Sequence, residues 1–183
     1  MKKPLWRVRV EDIPLDGMTL EADSGDPKLL EVLEEVSEGR TATAGFVSLQ
    51  VQPWPLRIDV TGKLEGRVPM VCARCLEGYV EAVDRTFSQI LSRKTEGSED
   101  EIQLSTSDLD RSELIGDTLD LQAIVREELV LSMPTKPLCK ADCKGICAGC
   151  GAELNEAECT CPPVVDDRWA ALAALKERLS KRD

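Results

Sequence analysis

Six cysteines stand within 23 residues, from Cys139 to Cys161, in a chain that contains no histidine. These two facts constrain the C-terminal stretch more than any other feature. Residues 138–163 are poor in apolar side chains and rich in Gly, Ala, Lys and Glu, so they cannot bury a core of their own. A bound metal can order such a segment where a core cannot. Cys147 and Cys150 are separated by two residues and followed by Gly151. That is the pattern of a knuckle, in which a turn brings two thiolates and nearby amides onto one soft ion. Cys159 and Cys161 follow. Four thiolates suit tetrahedral zinc, and the usual catalytic zinc sets need histidine, so a closed structural site is expected.

The spacing does not choose the ligand set. One simple site is Cys147, Cys150, Cys159 and Cys161. Another takes Cys139 or Cys143 in place of one of the last pair. Cys139, Cys143 and Cys147 recur at intervals of four, which would place alternates on one helical face, though Gly145 argues against a helix there. A second pair, Cys72 and Cys75, lies in "PMVCARCLEG" and can either complete a split site with the C-terminal cysteines or remain as free thiols. A redox pair needs a helix start after a central strand, and this pair lies in a strand-rich stretch. A ferredoxin-like cluster is disfavoured because its tightly repeated cysteine run is absent. Rapid, reversible oxidation of Cys72 and Cys75 would be the mark of the redox alternative.

Disulfides are disfavoured by the expected compartment. No apolar run is long enough to span a bilayer, and "MKKPLWRVRVEDIPLDG" has two lysines but neither the apolar stretch nor the cleavage site of a signal peptide. A cytoplasmic, reducing location is expected, with no membrane association, and there cysteines read first as metal ligands or thiols.

The rest of the chain reads as an α+β fold: an antiparallel β-sheet or partly open barrel with packed helices, followed by the Cys-rich zinc-knuckle segment. Residues 1–135 are expected to form the α+β domain of antiparallel strands plus helices, and residues 136–183 a Cys-rich zinc-binding segment and C-terminal helix, both packed on that first part. "WRVRV" alternates Trp6, Val8 and Val10 against Arg7 and Arg9, a half-buried strand. "IPLDGM" reads as a turn. "DPKLLEVLEEVSEG" is a helix capped by Asp26, with Pro27 at its first position and Leu29, Leu33 and Val36 on one stripe. In "TATAGFVSLQV" the alternation slips in phase, which predicts a bulge near Gly45 or Phe46. "PWP" is a turn, and strands follow in "LRIDVTGKLEG" with Leu56, Ile58 and Val60 in phase, in "RVPMV", and from Tyr79 to Leu91. Residues 92–101 read as an exposed loop and "IQLS" as a short strand. "DTLDLQAIVREELVLSMP" is a helix capped by Asp117 or Thr118, burying Leu121, Ile124, Val125 and Leu129 and exposing Arg126, Glu127 and Glu128. Residues 166–183 read as a final helix.

Charge bears on partners. The net charge is -11, and residues 95–128 hold 11 acidic against 2 basic side chains. Bulk attraction to a phosphate backbone is therefore not expected, whereas a basic protein partner is. Local cationic patches are still available in the strand arginines and in Lys136, Lys140 and Lys144 around the knuckle, where a lysine can position a phosphate. There is no P-loop and no dinucleotide fingerprint, and no histidine for acid–base work. Neither an enzyme nor a small-molecule substrate is indicated.

Three pieces together resemble one family. "VPMVCARCLEGY" carries Cys72, Arg74 and Cys75. "IGDTLDLQAIVREELVLSMP" carries Asp120, Leu121, Glu127, Glu128 and Pro134. "LCKADCKGICAGCGAELNEAECTC" followed by "DDRWAAL" carries Cys139, Cys143, Gly145, Cys147, Cys150, Gly151, Leu154, Asn155, Cys159, Cys161, Asp167, Arg168 and Trp169. The chain resembles the YceD family of large ribosomal RNA subunit accumulation proteins over residues 5–180. The family tail reads Asp-Pro-Arg, and here Asp167 replaces the proline. Some members keep the central cysteine pair and lack the C-terminal cysteines, which fits a stabilising metal better than an essential one. The resemblance implies a non-enzymatic accessory role in accumulation or processing of large-subunit ribosomal RNA. The partner implied is a ribosomal protein or pre-ribosomal particle. Arg74, Lys140, Lys144 and Arg168 are the candidate binding residues. The alternative is a zinc-stabilised module that binds the ribosomal RNA directly.

Overall fold

The computed structural model describes residues 6–40, 44–92 and 111–162, together with Arg168 and Leu172. The expected loop beyond Ser92, the "IQLS" strand and the C-terminal helix lie outside the described residues. The chain divides into two compact units, Met1–Met70 with Gly78–Pro137, and Val71–Glu77 with Leu138–Asp183.

The first unit is α+β. Its sheet has five strands in the order β2-β3-β4-β5-β6: β2 Met18–Asp23, β3 Ala44–Trp54, β4 Arg57–Val71, β5 Gly78–Ser92 and β6 Arg111–Glu113. β2 and β4 both run antiparallel to β3, whereas β6 runs parallel to β5. The sheet is therefore mixed and not purely antiparallel. β2 and β6 end the strand order, and the described residues show no barrel closure. A separate ladder pairs β1, Arg7–Arg9, antiparallel with β7, Thr118–Asp120.

The register of β3 accounts for the phase slip in its sequence. Its register with β4 is unbroken from Ala44↔Arg67 to Trp54↔Arg57, so the expected bulge is absent. Ala44 and Phe46 face outward, while Gly45, Val47, Leu49 and Val51 face the core. The inward position next to α1 holds glycine, and a Cβ there would meet Leu33 Cδ1 at 2.6 Å. The strand extends through Trp54, so the turn is narrower than "PWP" and places Leu56 in solvent, 87% exposed and out of the strand phase. β2 takes residues expected to be partly turn, with Leu20 and Ala22 buried.

Helix α1, Pro27–Val36, is capped as its sequence predicts, with Asp26 Oδ1 accepting from the Lys28 and Leu29 backbone N–H groups. The same oxygen accepts from Trp6 Nε1 at 2.9 Å, tying the β1 end of the chain to the helix start. Helix α2, Leu121–Ser132, begins later than expected. Residues 118–120 are committed to the β1 ladder, and Asp120 is the cap, accepting from Ala123 N–H at 3.0 Å. Leu121, Ile124, Val125 and Leu129 are buried as expected, but Glu128 is buried too. It is held there by Arg85 on β5, whose Nε donates to Glu128 Oε2 at 2.7 Å. The helices meet through Gln122 Nε2 on Glu31 and Arg126 Nε on Glu35. Among the described residues no helix is long and apolar enough to cross a membrane.

Candidate metal centre

The described residues of the second unit contain two copies of one turn. In the first, Cys72 N–H donates to Glu77 O at 2.9 Å, Leu76 N–H donates to Cys72 O at 3.0 Å, and Arg74 N–H reaches Cys72 Sγ at 3.4 Å. In the second, Cys147 N–H donates to Ala152 O at 2.8 Å, Gly151 N–H to Cys147 O at 2.8 Å, and Gly149 N–H to Cys147 Sγ at 3.3 Å. Each turn ends on a residue of positive φ, Leu76 at 64° and Gly151 at 74°. The local geometry explains the Cys-x-x-Cys spacing: a tight turn lifts both sulfurs to one side and points backbone N–H groups at the first.

The eight cysteines fall into two sets of four. Cys72 and Cys75 join Cys139 and Cys143, while Cys147 and Cys150 join Cys159 and Cys161. Within each set all four sulfurs lie within 4.8 Å of one another. The Cys72–Cys143 and Cys75–Cys139 separations are 3.7 and 3.6 Å. In the other set Cys150–Cys159 is 3.5 Å and Cys147–Cys159 is 3.3 Å. A tetrahedral zinc with Zn–S bonds of about 2.3 Å needs sulfurs about 3.8 Å apart. Both sets fit, and an all-sulfur donor set suits a soft tetrahedral ion better than a hard one. The first set is buried except for the half-buried Cys139, whereas Cys150 and Cys161 of the second are exposed.

Of the readings left open by spacing, the structure assembles the simple C-terminal set and the split set together. Cys139 and Cys143 do not replace Cys159 or Cys161. Nor do Cys139, Cys143 and Cys147 share a helix, since the chain turns at Gly145 with φ of 77°.

The thiols within each set are electrostatically unlike. Burial pushes Cys72 up, but the N–H groups of Cys75, Cys139 and Arg74 outweigh it and bring the thiol down to about 6. Burial and then the neighbouring Cys75, Cys143 and Cys72 push Cys139 up to about 12. Cys143 is lowered, chiefly by the Asn155 side chain. In the second set the Cys150 N–H, the Cys159 side chain and the Gly149 N–H bring Cys147 to about 6. Cys159 and Cys150 drive Cys161 up to about 12. Each set thus holds thiols shifted in opposite directions, and a bound divalent cation would lower every ligand.

The expected binding residues are distributed as follows. Arg74 spends one guanidinium nitrogen on Cys143 O at 2.7 Å, and its own carbonyl accepts from Ile146 N–H at 3.2 Å. Lys140 is exposed, and its carbonyl accepts from Cys143 N–H. Lys144 is exposed, with its backbone N–H on Asn155 Oδ1 at 3.0 Å. Arg168 is exposed. Arg74 thus meets Cys143 through its side chain and Lys140 through its carbonyl, while Lys144 follows Cys143 in sequence and is held by Asn155. Two residues without an expected role emerge. Asn155 donates to Cys143 Sγ at 3.4 Å. Leu76 holds a left-handed backbone and is 64% exposed.

The sequence model of the family described as "Large ribosomal RNA subunit accumulation protein YceD" matches residues 60–176, a span that contains all eight cysteines. The chain belongs to the YceD family. It is 24% identical to an uncharacterised protein of Mycobacterium bovis over 129 residues, covering 70% of this chain and 60% of that relative. It is also 24% identical to the "Large ribosomal RNA subunit accumulation protein YCED homolog 1, chloroplastic" of Zea mays, covering 89% of this chain and 59% of that protein. The Arabidopsis thaliana protein of the same name is 24% identical, with 84% of this chain and 55% of the relative covered. The chain thus spans 55–60% of the length of these curated relatives. No solved structure matches it.

Proposed function

We propose that this chain is a non-enzymatic accessory factor in the accumulation and processing of large-subunit ribosomal RNA during ribosome biogenesis. In this reading it acts in the cytoplasm by contacting a ribosomal protein or an RNA–protein intermediate. Each four-cysteine set holds one structural zinc ion. The observation that carries the reading is the match to the YceD family across residues 60–176. The plant relatives bear the rRNA-accumulation name over most of the present chain.

Physical chemistry narrows the partner. A net charge of -11 opposes binding to free RNA and favours a basic ribosomal protein. The thiol chemistry points to structure: with four sulfurs per ion and no open position, zinc has no coordination site left for water or substrate. When bound, zinc supplies cross-linking between the turn at 72–75 and the 139–161 segment, which have little apolar surface to hold them.

The test is removal of the gene in the source organism, reading the ratio of large- to small-subunit ribosomal RNA. The expected result is a lowered ratio restored by the unaltered chain. An unchanged ratio would sink the reading. Direct RNA binding is separated from protein contact by salt dependence: a steep loss of RNA affinity with salt, removed by changing Lys140 and Lys144, belongs to the direct-RNA alternative.

A further inference from the structure

We infer that the two four-cysteine sets are thermodynamically coupled, and that Asn155 is the positioning residue that couples them. The inference rests on the four-thiolate metal reading above and concerns how the two ions affect each other.

The path is short and fully traced. After the second turn the chain doubles back along residues 143–147. Cys147 N–H donates to Ala152 O, Ile146 bridges Glu153 in antiparallel fashion, and Leu154 N–H donates to Gly145 O at 2.9 Å. This small ladder ends on Asn155. Its Oδ1 accepts from Lys144 N–H at 3.0 Å, while its Nδ2 donates to Cys143 Sγ at 3.4 Å and Glu153 Oε1 at 3.2 Å. Cys143 belongs to the buried set, yet the segment that delivers Asn155 lies between Cys150 and Cys159, two ligands of the exposed set.

An ion in the exposed set closes the 150–159 loop and removes much of the chain entropy that opposes holding Asn155 in place. The held amide then stabilises the Cys143 thiolate, the role outer-shell donors commonly play for metal ligands. Linkage is reciprocal, so an ion in the buried set must raise the affinity of the exposed set by the same factor.

The test measures stepwise Zn2+ affinities of the fully reduced, full-length chain by competition with a chromophoric chelator. The exposed set is disabled by Cys159→Ser with Cys161→Ser, and the buried set by Cys72→Ser with Cys75→Ser. Each is measured with Asn155 intact, with Asn155→Asp and with Asn155→Ala. Asp keeps the oxygen that accepts from Lys144 N–H and loses the donor to Cys143. Ala loses both without adding charge. Disabling the exposed set is expected to weaken the buried set about 10-fold, with the same factor in the reverse direction. In either Asn155 variant that dependence is expected to vanish while both sets still bind. Equal affinity of the buried set with the exposed set intact or disabled overturns the coupling. Dependence that persists in Asn155→Ala overturns the role of Asn155. A chain that takes up no zinc with all eight cysteines present removes the metal reading itself, and the coupling with it. Circular dichroism of the α+β unit separates any of these results from global unfolding.

Discussion

Leu76 and Gly151 occupy the same position in two copies of one turn, with φ of 64° and 74°. Glycine enters that region freely, but a leucine there carries a steric cost of about 1–2 kcal/mol. Leu76 is mostly exposed, so packing does not offset the strain. Leu76→Gly is expected to stabilise the 71–77 turn, by about 1 kcal/mol after allowing for the greater freedom of glycine in the unfolded chain. The gain should appear as a higher thermal midpoint of the metal-loaded protein. A lowered midpoint would mean that the leucine side chain makes stabilising contacts.

Asp26 joins two elements with one oxygen, capping α1 and accepting from Trp6 Nε1. Asp26→Ala removes the cap, costing about 1 kcal/mol. It also leaves a buried indole N–H unpaired, at about 1–3 kcal/mol more. Asp26→Asn keeps an acceptor and should lose much less. Denaturant unfolding of the two variants checks the order; equal losses would show that charge, and not hydrogen bonding, is what matters.

Much of this was legible in the sequence. Asp26 and Pro27 announce α1, and the apolar stripe of α2 is correct to the residue. The failures share a cause: pairing partners distant in sequence decide local form. Residues 118–120 would continue a helix by propensity, yet β1 claims them as strand. Glu128 reads as a surface acid until Arg85, from β5, covers it. Gly45 reads as a bulge signal because the Leu33 side chain that excludes a Cβ is invisible in β3 alone. The cysteines follow the same rule. Cys147, Cys150, Cys159 and Cys161 are close enough in sequence to be proposed together. The union of Cys72 and Cys75 with Cys139 and Cys143 depends on the fold bringing remote segments to one place.

In the metal-free chain the thiols set an unusual pH response. Cys72 and Cys147, held at about 6 against an ordinary 9.0, add stability that is full above 9.0 and lost as pH falls through about 6. Cys139 and Cys161, raised to about 12, add stability present below 9.0 and lost as pH climbs toward about 12. Protection of the knuckle amides of Arg74 and Gly149 should therefore peak near pH 9. Hydrogen exchange corrected for intrinsic rates measures it, and a flat profile would contradict these shifts.

The proposed preference for a basic partner can be tested in the acidic stretch. Neutralising Glu96, Glu99, Asp100 and Glu101 together is expected to weaken recovery of basic ribosomal proteins with the tagged full chain at about physiological salt. Undiminished recovery would remove this stretch from the interface.

The central claim is that the eight cysteines form two separate ligand sets, Cys72, Cys75, Cys139 and Cys143 in one and Cys147, Cys150, Cys159 and Cys161 in the other. Native mass spectrometry of the full chain, purified reduced and without chelator, tests it most directly. Two zinc ions are expected in the unaltered chain. One should remain after Cys72→Ser with Cys75→Ser, and one after Cys159→Ser with Cys161→Ser. A single ion in the unaltered chain, kept when either pair is replaced, would contradict the division.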